Sequence, residues 1–208
     1  MSKKLNVVQA CVFACFGSFI GTSLAGDLYL EPRLGLNRGN LPNVGSFLAD
    51  NNSTSGGLLV GYKVTDQIAI ETGYIDFGKI GYSTSSGGTA SLFNGVLTSS
   101  GTWSGSVTAK ASGIPIGLSL TAIDSDAWNM NLRVGYMWID GSVTAVVNTG
   151  SGTYSGGFSA KVEEPYFGAG LGYKLSPETQ VRFDVLTLKI DASAYRVNQY
   201  GLTFRKDF

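Results

Sequence analysis

The sequence predicts an all-β chain that folds as an eight-stranded antiparallel transmembrane β-barrel with up-and-down meander topology. Three observations support this prediction. Apolar residues alternate with polar or small residues at period two in eight segments. Aromatic residues bracket the apolar rows of several segments. Long connections alternate along the chain with connections of about three residues, which places all long connections at one end of a barrel.

The segment 127–140 shows the alternation most clearly. Every second residue from Trp128 to Trp138 is apolar, and the residues between them include Asn, Arg and Gly. The two indoles lie roughly 33 Å apart along an extended strand, which becomes roughly 25 Å along the membrane normal at the usual strand tilt. That distance matches the apolar band of an outer-membrane barrel, and indoles prefer the two membrane interfaces. We therefore expect the apolar side of this strand to face lipid.

The remaining strands follow from the same pattern, and tight turns or Gly/Ser/Thr-rich connections separate them. With the N-terminus in the periplasm, the long connections become extracellular loops. The predicted loops are 38–56, 78–113 and 141–163, and alternation at Val107, Ala109 and Ala111 suggests that strands project beyond the membrane within the second. The predicted strands are 26–37, 57–64, 68–77, 114–120, 127–140, 166–175, 181–185 and 199–208.

The N-terminal 25 residues have the features of a secretory signal peptide. Two lysines precede a mainly apolar stretch, and the small residues Ser23 and Ala25 suit cleavage before Gly26. The alternative is an N-terminal membrane anchor. Both cysteines of the chain lie inside this segment, so the mature protein is expected to have no disulfide. The predicted organisation is a signal peptide, 1–25, followed by an outer-membrane β-barrel domain, 26–208.

Alternation alone does not say which face of the barrel is enclosed. A soluble eight-stranded barrel has apolar residues inside and polar residues outside. Here the polar face consists largely of Gly and other small residues with a few charges, which is unlike a surface built for water. Small residues suit a narrow lumen that has room only for side chains. We therefore predict that the polar face is enclosed and the apolar face meets lipid.

Charged residues of both signs share this enclosed face. Inside a barrel they must pair, because an unpaired buried charge is costly. We interpret them as structural ion pairs rather than a selective site. The predicted lumenal charge network consists of Lys63, Glu71, Arg133, Arg182 and Asp184, with the last four at its centre.

Aromatic residues on the lipid-facing rows predict two girdles at the membrane interfaces. The girdle near the short turns contains Tyr62, Trp128, Tyr173 and Phe208, and the girdle near the long connections contains Tyr74, Trp138 and Phe167.

The composition argues against several kinds of chemistry. The chain contains no His, which removes the usual general base for an activated Ser. No Cys/His cluster with metal-ligand spacing is present, and the formal net charge of zero gives no reason to expect a nucleic-acid partner. We therefore predict no catalytic, cofactor or metal site, and no enzymatic activity.

The motifs GGLLVGYKVTDQIAIETGYIDFG, WNMNLRVGYMWID and PYFGAGLGYKL, together with the terminal Phe208, resemble the small outer-membrane β-barrel family. This family includes the OmpA-like transmembrane domain and its porin-family relatives. The resemblance implies a multi-pass barrel in the outer membrane of a Gram-negative cell, in contact with lipid and lipopolysaccharide. It also implies that the barrel assembly machinery recognises the last strand through Phe208. Lys206 departs from the family pattern, in which an apolar or aromatic residue is usual.

Two functional hypotheses remain open from the sequence. One is a structural or surface-interaction role, in which long loops meet an unknown extracellular partner. The other is a narrow porin-like channel for small solutes. Eight strands ordinarily leave the lumen filled by side chains, but the many lumenal glycines leave space for a narrow path. We expect a monomer in either case.

Overall fold

The computed structural model of the chain describes residues 28–39, 48–87, 90–92, 97–99, 102–150, 152–190 and 195–208. The predicted signal peptide lies outside these residues. No helix in the described part of the chain is long and apolar enough to cross a membrane. The strands of the described part are β1 (Leu28–Arg38), β2 (Leu48–Asp50), β3 (Asn52–Lys63), β4 (Ile68–Gly87), β5 (Ala90–Leu92), β6 (Leu97–Ser99), β7 (Thr102–Asp124), β8 (Trp128–Thr149), β9 (Gly152–Ser176), β10 (Thr179–Ile190) and β11 (Tyr195–Asp207).

Eight of these strands form a closed antiparallel barrel. Their order around the ring is β4-β3-β1-β11-β10-β9-β8-β7, and pairing of β7 with β4 closes it. The first and last strands are neighbours, with Leu34 opposite Leu202. Closure leaves no free sheet edge in lipid, where unpaired backbone groups would cost several kcal/mol each. The predicted eight-stranded barrel is confirmed.

The prediction that residues 141–163 form a loop is wrong. Strands β8 and β9 continue through this segment as one hairpin, paired from Trp128 opposite Tyr173 up to Thr149 opposite Gly152. The second predicted loop, 78–113, is likewise strand over 79–87 and 102–113, and β3 begins within the first. Gly and Ser are poor strand formers, but strands that leave the membrane side by side go on exchanging backbone hydrogen bonds.

The polarity of the two faces reverses where these strands leave the membrane. On β8, outward residues change from Leu132 and Val134 to Ser142 and Thr144, whereas inward residues become Val and Ala. Side-chain direction does not change, because the strand keeps its register. Outward residues meet lipid below this level and water above it. We call the part above it, residues 79–87, 102–112, 140–149 and 152–163, the projecting sheet.

A bulge in β4 lies at the base of the projecting sheet. Pairing of β4 with β7 shifts register between Asp76 and Lys79. Gly78 occupies the bulge with φ 72°, and its N–H donates to Asp76 Oδ1 at 2.8 Å. A residue with a Cβ is disfavoured at this φ, so glycine permits the bulge. The extra residue allows Ile80 to line the inner side of the barrel mouth.

Candidate functional site in the barrel lumen

Five buried charged residues meet across the middle of the lumen. We call them the central charge layer: Glu31 from β1, Glu71 from β4, Arg133 from β8, and Arg182 and Asp184 from β10. Each lies on the inward parity of its strand, and none is more than 4% exposed. Side chains from four strands therefore converge at one level of the barrel.

Arg133 is the hub of the central charge layer. Its Nη2 lies 2.6 Å from both carboxylate oxygens of Glu31. Its Nε lies 3.0 Å from Glu71 Oε2, and its Nη1 lies 3.4 Å from Asp184 Oδ1. One guanidinium thus contacts carboxylates from three strands, which the planar fork of arginine makes possible.

Two further contacts stabilise the central charge layer. Arg182 Nη1 lies 2.9 Å from Glu31 Oε2, so Glu31 receives guanidinium groups from two strands. The Thr203 hydroxyl donates to Asp184 Oδ2 at 2.9 Å. Removing one member of such a buried set leaves its partners uncompensated, which is far more costly than losing a surface pair. The layer therefore ties β1, β4, β8 and β10 together across the barrel.

Glu31 and Tyr29 are not among the five residues predicted for the lumenal charge network. Tyr29 is fully buried, and its hydroxyl donates to Glu71 Oε1 at 2.5 Å. The Arg205 guanidinium lies 3.6 Å from the centre of the Tyr29 ring, a cation–π contact. The ring fills the space opposite Gly61, where a Cβ would overlap it. Both residues share the inward parity of β1, but their partners depend on the pairing of β1 with β3 and β11.

Lys63 lies apart from the other four residues of the predicted network. Its Nζ is 2.7 Å from Asp207 Oδ2, near the short-turn end of the barrel. Arg205 Nε contacts the other oxygen of Asp207 at 2.6 Å. Solvent reaches this pair, with side-chain exposures of 26% for Lys63 and 18% for Asp207. The structure therefore brings Glu71, Arg133, Arg182 and Asp184 together but leaves Lys63 with a different carboxylate.

Lys63→Met tests whether this second pair matters for stability. We expect the substitution to lower the free energy of unfolding by less than about 1 kcal/mol, because the pair is partly solvated. Arg205 also continues to neutralise Asp207. Urea unfolding of the barrel in lipid vesicles, followed by tryptophan fluorescence, measures the difference. A loss of several kcal/mol would show that Lys63 acts as part of a strongly coupled buried network.

A cluster of buried apolar side chains also occupies the lumen, and the sequence analysis missed it. The inward row of β8 shows the transition, because Arg133 is followed by Gly135, Met137 and Ile139 along the strand. We call the cluster the apolar plug. Its members are Leu59, Ile75, Phe77, Met137, Ile139, Tyr166, Leu186, Leu188 and Val197.

The residues of the two predicted aromatic girdles lie mainly on the outer face. Trp128 and Tyr173 are opposite each other in the register, with ring centroids 4.9 Å apart and planes at 61°. Trp138 Nε1 donates to Glu163 Oε1 at 2.7 Å, at the level where outward polarity reverses. Phe208 is half-buried, and its backbone N–H donates to Leu28 O at 3.0 Å. The exposed members are Tyr62, Tyr74, Trp128, Trp138, Phe167 and Tyr173.

The lumenal carboxylates described above form ion pairs with guanidinium groups. In the part of the chain that the structure describes, no group of three or more His, Cys, Asp or Glu residues is arranged to hold a metal ion. The central charge layer can therefore stabilise the barrel and obstruct passage through it.

Comparison with known proteins agrees with this architecture. Residues 25–200 match the OmpA-like transmembrane domain family. Among solved structures, OprG from Pseudomonas aeruginosa is similar with a TM-score of 0.54 and 13% identity, covering 88% of this chain and 96% of that chain. Ail from Yersinia pestis gives a TM-score of 0.48 and 13% identity, covering 88% of this chain and 100% of that chain. No curated protein sequence matches. The chain therefore belongs to the OmpA-like transmembrane domain family, and it is an integral β-barrel of the outer membrane.

Proposed function

We propose that the protein is a non-conducting, non-enzymatic outer-membrane barrel with a structural or surface-interaction role through its projecting sheet. One observation carries the proposal: side chains close the lumen at two successive levels, while the strands extend well beyond the apolar band. The closed interior favours a scaffold over a pore. The extended strands provide a surface for recognition outside the membrane.

The two closures differ in chemistry. A solute passing through the lumen would meet the ion pairs of the central charge layer, whose residues are at most 4% exposed to solvent. The solute would also meet the apolar plug, in which side chains such as Met137 and Leu188 are almost completely buried. A small polar solute would have to displace both, and an ion would lose its hydration at the second.

The reach of the projecting sheet is considerable. Between the pair Trp138–Glu163 and the pair Thr149–Gly152, β8 extends roughly 36 Å at the rise of a β-strand. Strand β7 accompanies β8 over most of this length, pairing Ser104 with Asn148. Paired strands hold their shape better than a bare loop, so this surface is presented on a rigid support.

Planar-bilayer recording tests the closed lumen. We expect purified wild-type protein to give no ohmic steps, because both closures remain in place at equilibrium. Folding of the sample is established by gel mobility, since a folded barrel runs faster unboiled than boiled. Steady openings that disappear on substitution of lumenal residues, with the projecting sheet unchanged, would instead support a narrow channel.

Shortening the β8–β9 hairpin tests the surface role. Replacing residues 142–159 by Asn-Gly joins the opposed pair Gly141 and Ala160 through a favourable two-residue turn. We expect the variant to keep its gel shift and to lose binding of barrel-bearing liposomes to cultured cells or immobilised matrix proteins. A control variant carries Asn-Gly in place of Pro177-Glu178, at the opposite end of the barrel. Equal binding by wild type and shortened hairpin would contradict the proposal.

The last strand, β11, completes the barrel. Strand β11 pairs with both β10 and β1, so the barrel closes only when this strand is in place. We propose that the assembly machinery recognises β11 through its outward row and Phe208, and that the finished barrel is a monomer in contact with lipid and lipopolysaccharide.

A further inference from the structure

A cavity of about 260 Å³ lies in the mouth of the barrel, directly above the apolar plug. Phe77, Ile139, Leu188 and Val197 belong to both the plug and the cavity lining, so the plug forms the cavity floor. The walls come from the inward side of the projecting sheet and include Ile80, Ala109, Ala111, Gly141, Val143 and Val162.

The cavity walls are unsuited to water. A cavity of this size has room for several waters. Most side chains of the lining are apolar or absent, so such waters would find few hydrogen-bond partners on the walls. An apolar molecule that displaces them gains the hydrophobic free energy of its own surface and of the walls. The chemistry of the cavity therefore favours an apolar occupant.

Asn37 is a polar exception in this lining. It is 3% exposed, and its Nδ2 donates to Phe77 O at 2.5 Å and to Ser53 Oγ at 3.1 Å. Its Oδ1 is buried and has no hydrogen-bond donor among the residues that the structure describes. A buried acceptor without a donor is costly. Because this oxygen is enclosed by the protein, the surface that the cavity presents is almost entirely apolar.

We propose that this cavity binds a small apolar molecule of one or two fused rings. A cavity of about 150 Å³ with apolar walls accommodates benzene, so the larger volume here admits a second ring. The ligand enters from the extracellular side, above the plug.

Glycine positions in the same hairpin provide a cavity-filling variant and a matched control. A Cβ at Gly141 would meet only Ala160 O at 3.6 Å and Lys110 O at 3.9 Å, which are ordinary contacts. Gly141→Leu therefore places a side chain in the cavity without a backbone clash. A Cβ at Gly156 would have no atom within 4 Å, and Gly156 is outside the cavity lining. Gly156→Leu adds the same side chain elsewhere.

Indole is a suitable probe, because it has two fused rings and is mainly apolar. The barrel is placed in lipid nanodiscs with ¹³C-labelled Ala and Val methyl groups, and nuclear Overhauser effects between indole and the methyls of Ala109, Ala111 and Val143 report binding. We expect these contacts in wild type and in Gly156→Leu, and affinity at least about tenfold weaker in Gly141→Leu. Each variant is first shown to be folded by its gel mobility.

The compound 1-methylindole is a second probe, since it keeps the rings and lacks the N–H. We expect it to contact the same methyls as indole, because burial of apolar surface against the walls drives binding. Loss of these contacts with 1-methylindole would contradict binding by the apolar walls. Indole contacts that persist unchanged in Gly141→Leu would overturn the site itself. So would contacts to the same methyls from a lipid acyl chain or another segment of the protein in the absence of indole.

Discussion

Arg133→Met is expected to lower the free energy of unfolding by about 3–5 kcal/mol, because it leaves buried carboxylates without their shared cation. Arg133 contacts Glu31 at 2.6 Å, Glu71 at 3.0 Å and Asp184 at 3.4 Å. Arg182 still reaches Glu31, but Glu71 and Asp184 lose their guanidinium contact. Urea titration in lipid vesicles, with gel mobility as a second readout, measures the loss.

Three further variants establish the cause of this loss. Arg38→Met removes an arginine from the exposed end of β1 and should change stability by no more than about 0.5 kcal/mol. Arg133→Lys keeps the charge but loses the planar fork, so we expect an intermediate loss. Adding Glu71→Gln to Arg133→Met should cost less than the sum of the single changes, because the carboxylate that Arg133→Met leaves without a guanidinium is then neutral. Unchanged stability of Arg133→Met would show that Arg133 does not hold the layer together.

Gly135→Val is expected to prevent formation of the compact barrel, or to destabilise it by about 3 kcal/mol or more. A Cβ at Gly135 would lie 2.6 Å from Gly117 Cα and 2.8 Å from the Tyr166 ring, and it would overlap Ile116 O. The nearest obstacles belong to the backbone of the neighbouring strand, which cannot move without breaking the β7–β8 pairing. The expected result is loss of the fast-migrating unboiled band on a gel.

Two comparisons separate a backbone clash from a general intolerance of side chains in this strand. Gly141→Val lies six residues further along β8, where a Cβ meets only ordinary contacts, and should retain the fast band. Adding Tyr166→Ala to Gly135→Val removes the ring but leaves the carbonyl of Ile116 in place, so it should not restore folding. Restoration by Tyr166→Ala would show that the ring, and not the backbone, excludes the side chain.

The barrel strands could be predicted from the sequence because the alternation of apolar and polar residues is a local property. In a strand, successive side chains point to opposite sides whatever the neighbouring strand is. The row Leu132, Val134, Tyr136 therefore predicted a lipid-facing surface, and the structure leaves all three side chains at least 40% exposed. The same row predicted that Arg133 points inward, and it is buried in the lumen.

The projecting sheet could be predicted from the sequence only in part. Val107, Ala109 and Ala111 kept the alternation within a Gly/Ser/Thr-rich segment, and the structure places all three in β7. Val143, Ala145 and Val147 alternate in the same way on β8, but the composition of 141–163 pointed to a loop. The weak strand formers of this segment stay in strands because they pair with neighbouring strands. The local sequence contains no sign of that pairing.

By itself, the amino-acid sequence determined how many strands cross the membrane and which side of each strand meets lipid, since both depend on residues close together in the chain. Only the tertiary structure decided which lumenal side chains touch. Glu31 and Arg133 are 102 positions apart, and their contact depends on the registers of every strand pair between them around the ring. A shift of one residue in any of those pairs would move a side chain to the opposite face. Closure of the ring therefore determines that Arg133 contacts Glu31 and that Lys63 pairs with Asp207.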